Sequence, residues 1–159
     1  MTTTNPRPLV RVPAFIRLSN PITQRLLRAN MPMGPNLLLT ARGRTTGEPR
    51  TAAVAVAEID ARRYVIGAYG DVNWVKNLRA AGEADIKIFG TIEHVQAREL
   101  DHAAALTFFD TTLPEYIAHF PRVARGFARI LFGSVAPEIF NDHALATVTR
   151  PVFELTADE

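Results

Sequence analysis

The run from Thr40 to Arg50 contains the strongest chemical signal in the chain. It holds three arginines, two adjacent threonine hydroxyls and two glycines. Glycines let a backbone turn with its N–H groups toward a ligand, and guanidinium groups bind phosphate or carboxylate through paired hydrogen bonds. The run therefore predicts an anion-binding turn. A β-hairpin whose basic tip is merely solvated is the alternative that the run alone leaves open.

The distribution of charge supports an anionic ligand. Residues 1–63 carry ten arginines against three acidic residues, although the whole chain has a net charge of only +2. This asymmetry predicts a negatively charged partner for the first part of the chain, either a cofactor, a membrane surface or nucleic acid. Nucleic acid is the least favoured of these, because no series of aromatic residues accompanies the arginines and no recognition motif is present.

Several classes of enzyme are excluded or disfavoured by composition. The chain has no cysteine, which excludes disulfides, thiolate catalysis and zinc–thiolate sites. The two serines stand outside any nucleophile-elbow motif, so a serine hydrolase is not expected. No metal site is predicted, because the four histidines lack the spacing of metal ligands: His94, His102, His119 and His143.

The N-terminal region, residues 1–35, is predicted to be an arm that precedes a single domain at residues 36–159. Three prolines interrupt residues 1–13, and residues 14–30 form a basic amphipathic segment that breaks near Pro21. Such a segment either packs on the domain or lies on an anionic membrane. No run of about 20 apolar residues and no signal peptide is recognisable. The protein is expected to be cytoplasmic, with peripheral membrane association as an alternative.

The domain itself is predicted to belong to the α+β class, mainly β, as a small antiparallel barrel with peripheral helices. Alternating or β-branched residues separated by turn signals predict six strands. Asp60-Ala61-Arg62 and Gly90-Thr91 are predicted turns, and the first helix is predicted to begin at an N-cap, Asp71, and to end at Gly82. The predicted strands are 36–41, 50–59, 64–68, 85–89, 92–100 and 151–155, and the predicted helices are 71–81, 101–120 and 122–132.

Two motifs together resemble the deazaflavin-dependent nitroreductases. The first is Leu39-Thr40 followed by Gly43-Arg44-Thr45-Thr46-Gly47-Glu48-Pro49-Arg50, and the second is Trp74 with Asn77-Leu78 and Ala80. The strand 64–68 separates them, and Pro151-Val152-Phe153 extends the resemblance to the C-terminus. The resemblance implies a split β-barrel of the flavin-binding, pyridoxamine phosphate oxidase type. It also implies coenzyme F420 as the cofactor and a homodimer.

The resemblance assigns roles to individual residues. It implies that the basic turn binds the phosphate and acidic tail of the cofactor, and that Trp74 and Asn77 line the cofactor site together with Ala68 at the strand end. For Trp74, a purely structural core role is the alternative. Arg42 is expected to support Arg44 from the same side of the strand. The cofactor-binding residues of the turn are thus Arg42, Gly43, Arg44, Thr45, Thr46, Gly47 and Arg50.

The implied reaction is hydride transfer from reduced F420 to an electron-poor, hydrophobic acceptor such as an activated alkene, a quinone or a nitro compound. Tyr69 and, second, Tyr116 are the candidate proton donors, although either could simply pack as an aromatic residue. The phenylalanines of the C-terminal third, among them Phe109 and Phe127, either pack in the core or line a substrate pocket. Two alternatives stay open. One is the same barrel with flavin mononucleotide (FMN), and the other is a non-catalytic protein that binds a deazaflavin, a fatty acid or another anionic lipid.

Overall fold

The computed structural model describes residues 36–158, which form a closed barrel of six antiparallel strands. The strand order around the barrel is β1-β2-β3-β6-β5-β4, and β4 pairs with β1 to close it. The predicted strand segments are all present and antiparallel, although several boundaries move by one or two residues. The strands are β1 (Asn36–Arg42), β2 (Pro49–Ile59), β3 (Arg62–Ile66), β4 (Glu83–Ile88), β5 (Thr91–Glu99) and β6 (Val152–Ala157).

Alternating side chains of the strands fill the barrel. In β1, Leu37 and Leu39 are almost fully buried, and Phe153 and Leu155 of β6 belong to the same cluster. The helix α1 (Asn73–Ala81) adds Val75 and Leu78, both with no exposed surface. Burial of these apolar groups is the main stabilising contribution to the barrel. It also fixes α1, which carries Trp74 and Asn77, against the barrel.

Two-residue hairpins join β2 to β3 and β4 to β5. Asp60 and Ala61 have φ values of 50° and 61°, and Phe89 and Gly90 have values of 44° and 86°. Positive φ at both central residues is the turn geometry that matches the right-handed twist of paired strands. The first predicted turn is confirmed, with Arg62 already in β3. The second is shifted by one residue, because Thr91 pairs with Ile88 and so begins β5.

The ends of α1 are only partly as predicted. Gly82 ends the helix in a left-handed conformation, with its N–H donating to the Leu78 carbonyl at 2.8 Å, which confirms the predicted stop. Asp71 is not the N-cap, because Val72 occupies that position without a side-chain cap. The Asp71 carboxylate instead accepts a hydrogen bond from Arg79 Nη2 at 2.8 Å. A charged donor on the next turns of the helix therefore outcompetes the local capping bond.

The C-terminal part is more complex than the two predicted helices. A π-helical segment (Phe108–Thr112) interrupts the predicted helix 101–120. Its wider turn buries the consecutive residues Phe108 and Phe109, which pack in a second cluster with Tyr64 and Val152 of the barrel wall. The last two helices were not predicted, because they are short and separated by a single residue. The helices are α2 (His102–Thr107), α3 (Leu113–Ala118), α4 (Arg122–Val135), α5 (Glu138–Asn141) and α6 (His143–Thr149).

The predicted arm and amphipathic segment at residues 1–35 lie outside the described residues. The proposed division between this arm and the domain therefore stays a prediction. Among the helices of residues 36–158, none combines the length and the apolar character needed to cross a membrane.

Substitution of Ala61 by glycine tests the hairpin geometry. Ala61 is exposed at a φ of 61°, a conformation that costs a non-glycine residue about 1–2 kcal/mol. Glycine avoids this cost, but its larger backbone entropy in the unfolded chain offsets part of the benefit. Ala61→Gly is therefore expected to raise the free energy of unfolding by about 0.5–1 kcal/mol in urea titrations. Ala80→Gly, at an exposed helical position of α1, is the control and should destabilise by about 1 kcal/mol. A loss of stability in both variants would refute the assigned turn.

Candidate functional site

The basic turn is the six-residue connection between β1 and β2. The Gly43 N–H donates to the Glu48 carbonyl at 2.8 Å, and the Gly47 N–H donates to the Gly43 carbonyl at 2.8 Å. A Cβ on Gly43 would lie 3.0 Å from the Glu48 carbonyl oxygen, and Gly47 has a φ of 74°. The two glycines are therefore needed for close approach and for a left-handed backbone, respectively. Between them, Arg44, Thr45 and Thr46 are exposed to solvent.

Two side-chain oxygens of α1 bind this turn, and Asn77 supplies the buried one. Asn77 Oδ1 accepts from the backbone N–H of Arg44 at 3.3 Å and from its Nη1 at 2.8 Å. Arg44 Nη2 also donates to Asn73 Oδ1 at 3.3 Å. Asn77 is buried, with 6% of its surface exposed, whereas Asn73 is exposed. The structure thus brings together two predicted site residues, Arg44 and Asn77, which are 33 positions apart in the chain.

The other two arginines of this region, Arg42 and Arg50, are exposed, and within residues 36–158 only Arg50 has a charged partner. Arg50 faces Glu48 at 3.6 Å, but both side chains are more than half exposed, and such surface ion pairs contribute only about 0–1 kcal/mol. Arg42 is exposed at the end of β1, where it pairs with Pro49. Because the strand ends at Arg42, the expected alternation that would place Arg42 and Arg44 on one side does not extend to Arg44.

The donors of the turn fit a phosphate or carboxylate group. Arg44 donates two of the five N–H groups of its guanidinium to Asn77 and Asn73, and the remaining groups have no partner among residues 36–158. The Thr46 hydroxyl oxygen accepts from the Glu48 N–H at 3.3 Å, which leaves its O–H available as a donor. The segment from Arg42 to Arg50 thus carries three arginines and one carboxylate, that of Glu48. This excess of donors and positive charge is the chemistry of an anion site.

Trp74 stands one residue after Asn73 on α1. It is half-buried and packs against the barrel cluster. Its burial therefore matches neither an isolated core tryptophan nor a fully exposed one. An indole in this setting can present one face to the protein and another to a ligand, so the predicted contact with a cofactor stays a prediction.

The connection between β3 and α1 carries Ala68 and Tyr69, and it is held by the C-terminal part of the chain. The strand predicted to reach Ala68 ends at Ile66. Gly67 then donates to the Pro151 carbonyl at 2.7 Å, and a Cβ on Gly67 would lie 2.7 Å from Pro151 Cγ. Arg150 Nη1 donates to the Ala68 carbonyl at 2.7 Å. Ala68 is thus fixed by its backbone.

Sequence reasoning did not find the buried ion pair between Arg150 and Glu138. Arg150 is 4% exposed, and its Nε donates to Glu138 Oε1 at 2.6 Å. Thr149 Oγ1 donates to the same oxygen at 3.2 Å. Because Arg150 also binds the Ala68 carbonyl, this pair connects α5 and the end of α6 to the connection that carries Tyr69. No periodic pattern could have revealed it, since the partners stand twelve positions apart, with Glu138 on α5 and Arg150 directly after α6.

The two candidate proton donors have different surroundings. Tyr69 is half-buried, and burial raises the pKa of its phenol above the ordinary value of 10. Its hydroxyl is therefore protonated at neutral pH. Tyr116 packs in the second cluster and contacts Phe120 edge to face, with 4.8 Å between ring centroids. Among the described residues, no hydrogen bond or ring contact joins Tyr116 to the basic turn or to Trp74.

The remaining predictions concern the phenylalanines of the C-terminal third and metal ligands. Phe109 has no exposed surface and belongs to the second core cluster, which favours packing over direct contact with a substrate. The side chain of Phe127 is not among those described. In residues 36–158, no group of three His, Cys, Asp or Glu side chains is arranged to hold a metal ion.

Comparison with known proteins agrees with this geometry. A family model described as F420H(2)-dependent quinone reductase matches residues 20–126, which include the basic turn and all of α1. No curated protein matches the sequence.

Several solved structures align with this chain at low sequence identity. A protein from Bacteroides thetaiotaomicron named for 5-nitroimidazole antibiotic resistance aligns with a TM-score of 0.52 at 10% identity, over 86% of this chain and 80% of its own. An F420-H2 dependent reductase aligns at 0.43 and 19% identity, over 77% and 94%. A pyridoxamine 5'-phosphate oxidase-type protein from Listeria innocua aligns at 0.47 and 11% identity, over 86% and 94%. The predicted split β-barrel class is confirmed.

Removal of the Asn77 side chain tests its role as the anchor of the turn. Asn77→Ala leaves the Arg44 donors without their buried acceptor, so the free energy of unfolding in urea is expected to fall by about 1–3 kcal/mol. The control is Asn73→Ala, which removes only an exposed contact and should change stability by less than about 0.5 kcal/mol. Equal losses in the two variants would show that the buried oxygen is not the anchor.

A double-mutant cycle tests the buried ion pair. Arg150→Met and Glu138→Leu each leave an unpaired buried charge, and each is expected to lower the free energy of unfolding by about 3–5 kcal/mol. The double variant should be more stable than either single variant, because no lone charge remains, although the Ala68 carbonyl still lacks its donor. Urea denaturation of the four proteins gives the coupling energy. Simple addition of the two single losses would contradict the pairing.

Proposed function

Since this chain belongs to the F420H(2)-dependent quinone reductase family, we propose that it transfers a hydride from reduced F420 to an electron-poor, hydrophobic acceptor, with quinones as the first class to test. Activated alkenes and nitro compounds are further candidate acceptors. The observation that carries the proposal is the junction between the basic turn and α1, where Arg44 binds Asn77 Oδ1 at 2.8 Å. It joins a set of hydrogen-bond donors that suit an anion to the helix that carries Trp74.

The turn is proposed to hold the phosphate and the acidic tail of the cofactor. Arg44 supplies its unused N–H groups, while Arg50 exchanges its exposed partner Glu48 for the ligand. The hydroxyls of Thr45 and Thr46 add neutral donors, and Arg42 adds charge at the edge. Gly43 and Gly47 act through the backbone, because they allow the tight closure of the turn.

The side of the site on α1 is proposed to receive the ring system. Trp74 supplies an apolar wall that excludes water, and the backbone at Ala68 forms the opposite boundary, held by Arg150. Asn77 is proposed to act mainly as a positioning residue, because its oxygen is already bonded to Arg44. This differs from the direct contact with a heterocycle that the sequence suggests.

The proton that accompanies the hydride is proposed to come from Tyr69. When bound, reduced F420 supplies the hydride, which carries two electrons and one proton. One further proton then completes the conversion of a quinone to a hydroquinone. A phenol is protonated at neutral pH, and burial raises the pKa of Tyr69 further, so its Oη carries the proton that a general acid donates. Solvent supplies the proton if Tyr69 does not. Tyr116 is the second candidate, and its aromatic packing is the weaker arrangement for this role.

Two alternatives to F420-dependent reduction are FMN as the cofactor and binding of a deazaflavin or an anionic lipid without catalysis. The arginines of the turn would bind the phosphate of FMN as well, and a protein that only stores a deazaflavin or binds an anionic lipid would need the same charge. A homodimer and peripheral membrane contact through residues 1–35 stay predictions.

An anaerobic assay of F420H2 oxidation with a soluble naphthoquinone tests the proposal. Turnover is expected with F420H2 and not with reduced FMN. Arg50→Ala should raise the KM for F420H2 by about tenfold, since one charge-assisted contact contributes about 1.5–3 kcal/mol. Arg122→Ala, an exposed arginine on α4, is the matched control and should leave KM unchanged. Binding of F420 without any turnover would favour sequestration, and a preference for FMN would favour the flavin rival.

A pair of tyrosine variants tests the source of the proton. Tyr69→Phe is expected to lower kcat at neutral pH at least tenfold with an activated alkene as acceptor, because a general acid contributes about 10²–10⁴-fold. The Kd for F420 should not change. Tyr116→Phe is the same substitution at a tyrosine of the second aromatic cluster, and it should keep kcat near that of the unmodified protein. Equal kcat values in the two variants would assign the proton to solvent.

A further inference from the structure

The helix α4 (Arg122–Val135) is set apart from the barrel. Among the described elements, its extensive contacts are with the neighbouring α5 and not with any strand. Its sequence contains Arg122, Arg125 and Arg129 and no acidic residue. Most of the α4 side chains whose burial the structure describes are exposed to solvent.

The exposed face of α4 combines apolar and cationic side chains in parallel rows. Val123 is 87% exposed and Ile130 is 75% exposed, and their separation of seven residues places them on the same face of a helix. Arg122 and Arg129 have the same separation and are also exposed. Gly126, which is exposed as well, lies between the rows. Val123 and Ile130 thus form an exposed apolar row beside the cationic row, which is the amphipathic pattern of helices that bind at a membrane interface.

Charge decides which partner suits this face. Residues 1–35 of the chain contain five arginines and no acidic residue, so their charge has the same sign as that of α4. A second copy of the α4 face would also oppose arginine with arginine. An anionic phospholipid surface offers negative charge together with an apolar layer into which Val123 and Ile130 can insert. We propose that α4 binds the surface of anionic lipid bilayers.

This proposal does not depend on the proposed reaction. The α4 residues it uses are separate in sequence from the basic turn and from α1, and vesicle binding can be measured without cofactor. If both proposals hold, α4 places the site near the membrane phase in which a hydrophobic acceptor dissolves.

Vesicle co-sedimentation of the full-length protein tests the proposal. The probes are vesicles of phosphatidylcholine alone and of an equal mixture of phosphatidylcholine and phosphatidylglycerol. Binding is expected only to the mixed vesicles, and it should weaken with salt. The variants Arg122→Glu/Arg129→Glu and Val123→Ser/Ile130→Ser should each lower the partition coefficient at least about tenfold.

Matched controls separate α4 from other basic or apolar surfaces. Arg25→Glu/Arg28→Glu reverses the same charge in residues 1–35, and Phe89→Ser/Ile92→Ser removes exposed apolar side chains from the β4–β5 hairpin. Both controls should bind more tightly than the α4 variants, and circular dichroism should show that all variants are folded. Failure of the unmodified protein to bind mixed vesicles, equal binding to neutral vesicles, or unchanged binding of the α4 variants would each overturn the proposal.

Discussion

One buried amide oxygen fixes the basic turn against α1. Asn77 Oδ1 accepts from both the backbone and the guanidinium of Arg44, and it lies on the helix that fills the barrel through Val75 and Leu78. A buried acceptor deprived of its donors costs about 1–3 kcal/mol. The stability of the core therefore supports the position of the turn, and Arg44 stays beside the helix that carries Trp74 with several donors still available.

A second buried interaction fixes the opposite boundary. Arg150 binds Glu138 and the Ala68 carbonyl, so the C-terminal helices hold the connection that carries Tyr69. Removal of both charges from water is costly, and the extra hydrogen bonds offset part of this cost. The two interactions together mean that the site is built from parts of the chain far apart in sequence.

Features encoded by a few neighbouring residues were predictable from the sequence. The apolar run of β1, the turn at Asp60 and Ala61 and the stop at Gly82 are of this kind. The junction between Arg44 and Asn77 was suggested only by a family resemblance, because no local pattern relates the two residues. The pair Arg150–Glu138 and the π-helical segment depend on tertiary packing. The N-cap at Asp71 failed because Arg79 competes for its carboxylate.

The most direct measurement is a titration of the protein with oxidised F420 and, separately, with the deazaflavin chromophore that lacks the phosphate and the acidic tail. Binding is followed by the fluorescence of Trp74, the single tryptophan of the chain. We expect saturable quenching by F420, and an affinity for the truncated chromophore that is lower by tenfold or more, since charge-assisted contacts to the turn are lost. Equal affinity for the two ligands would contradict an anion-binding role of the basic turn.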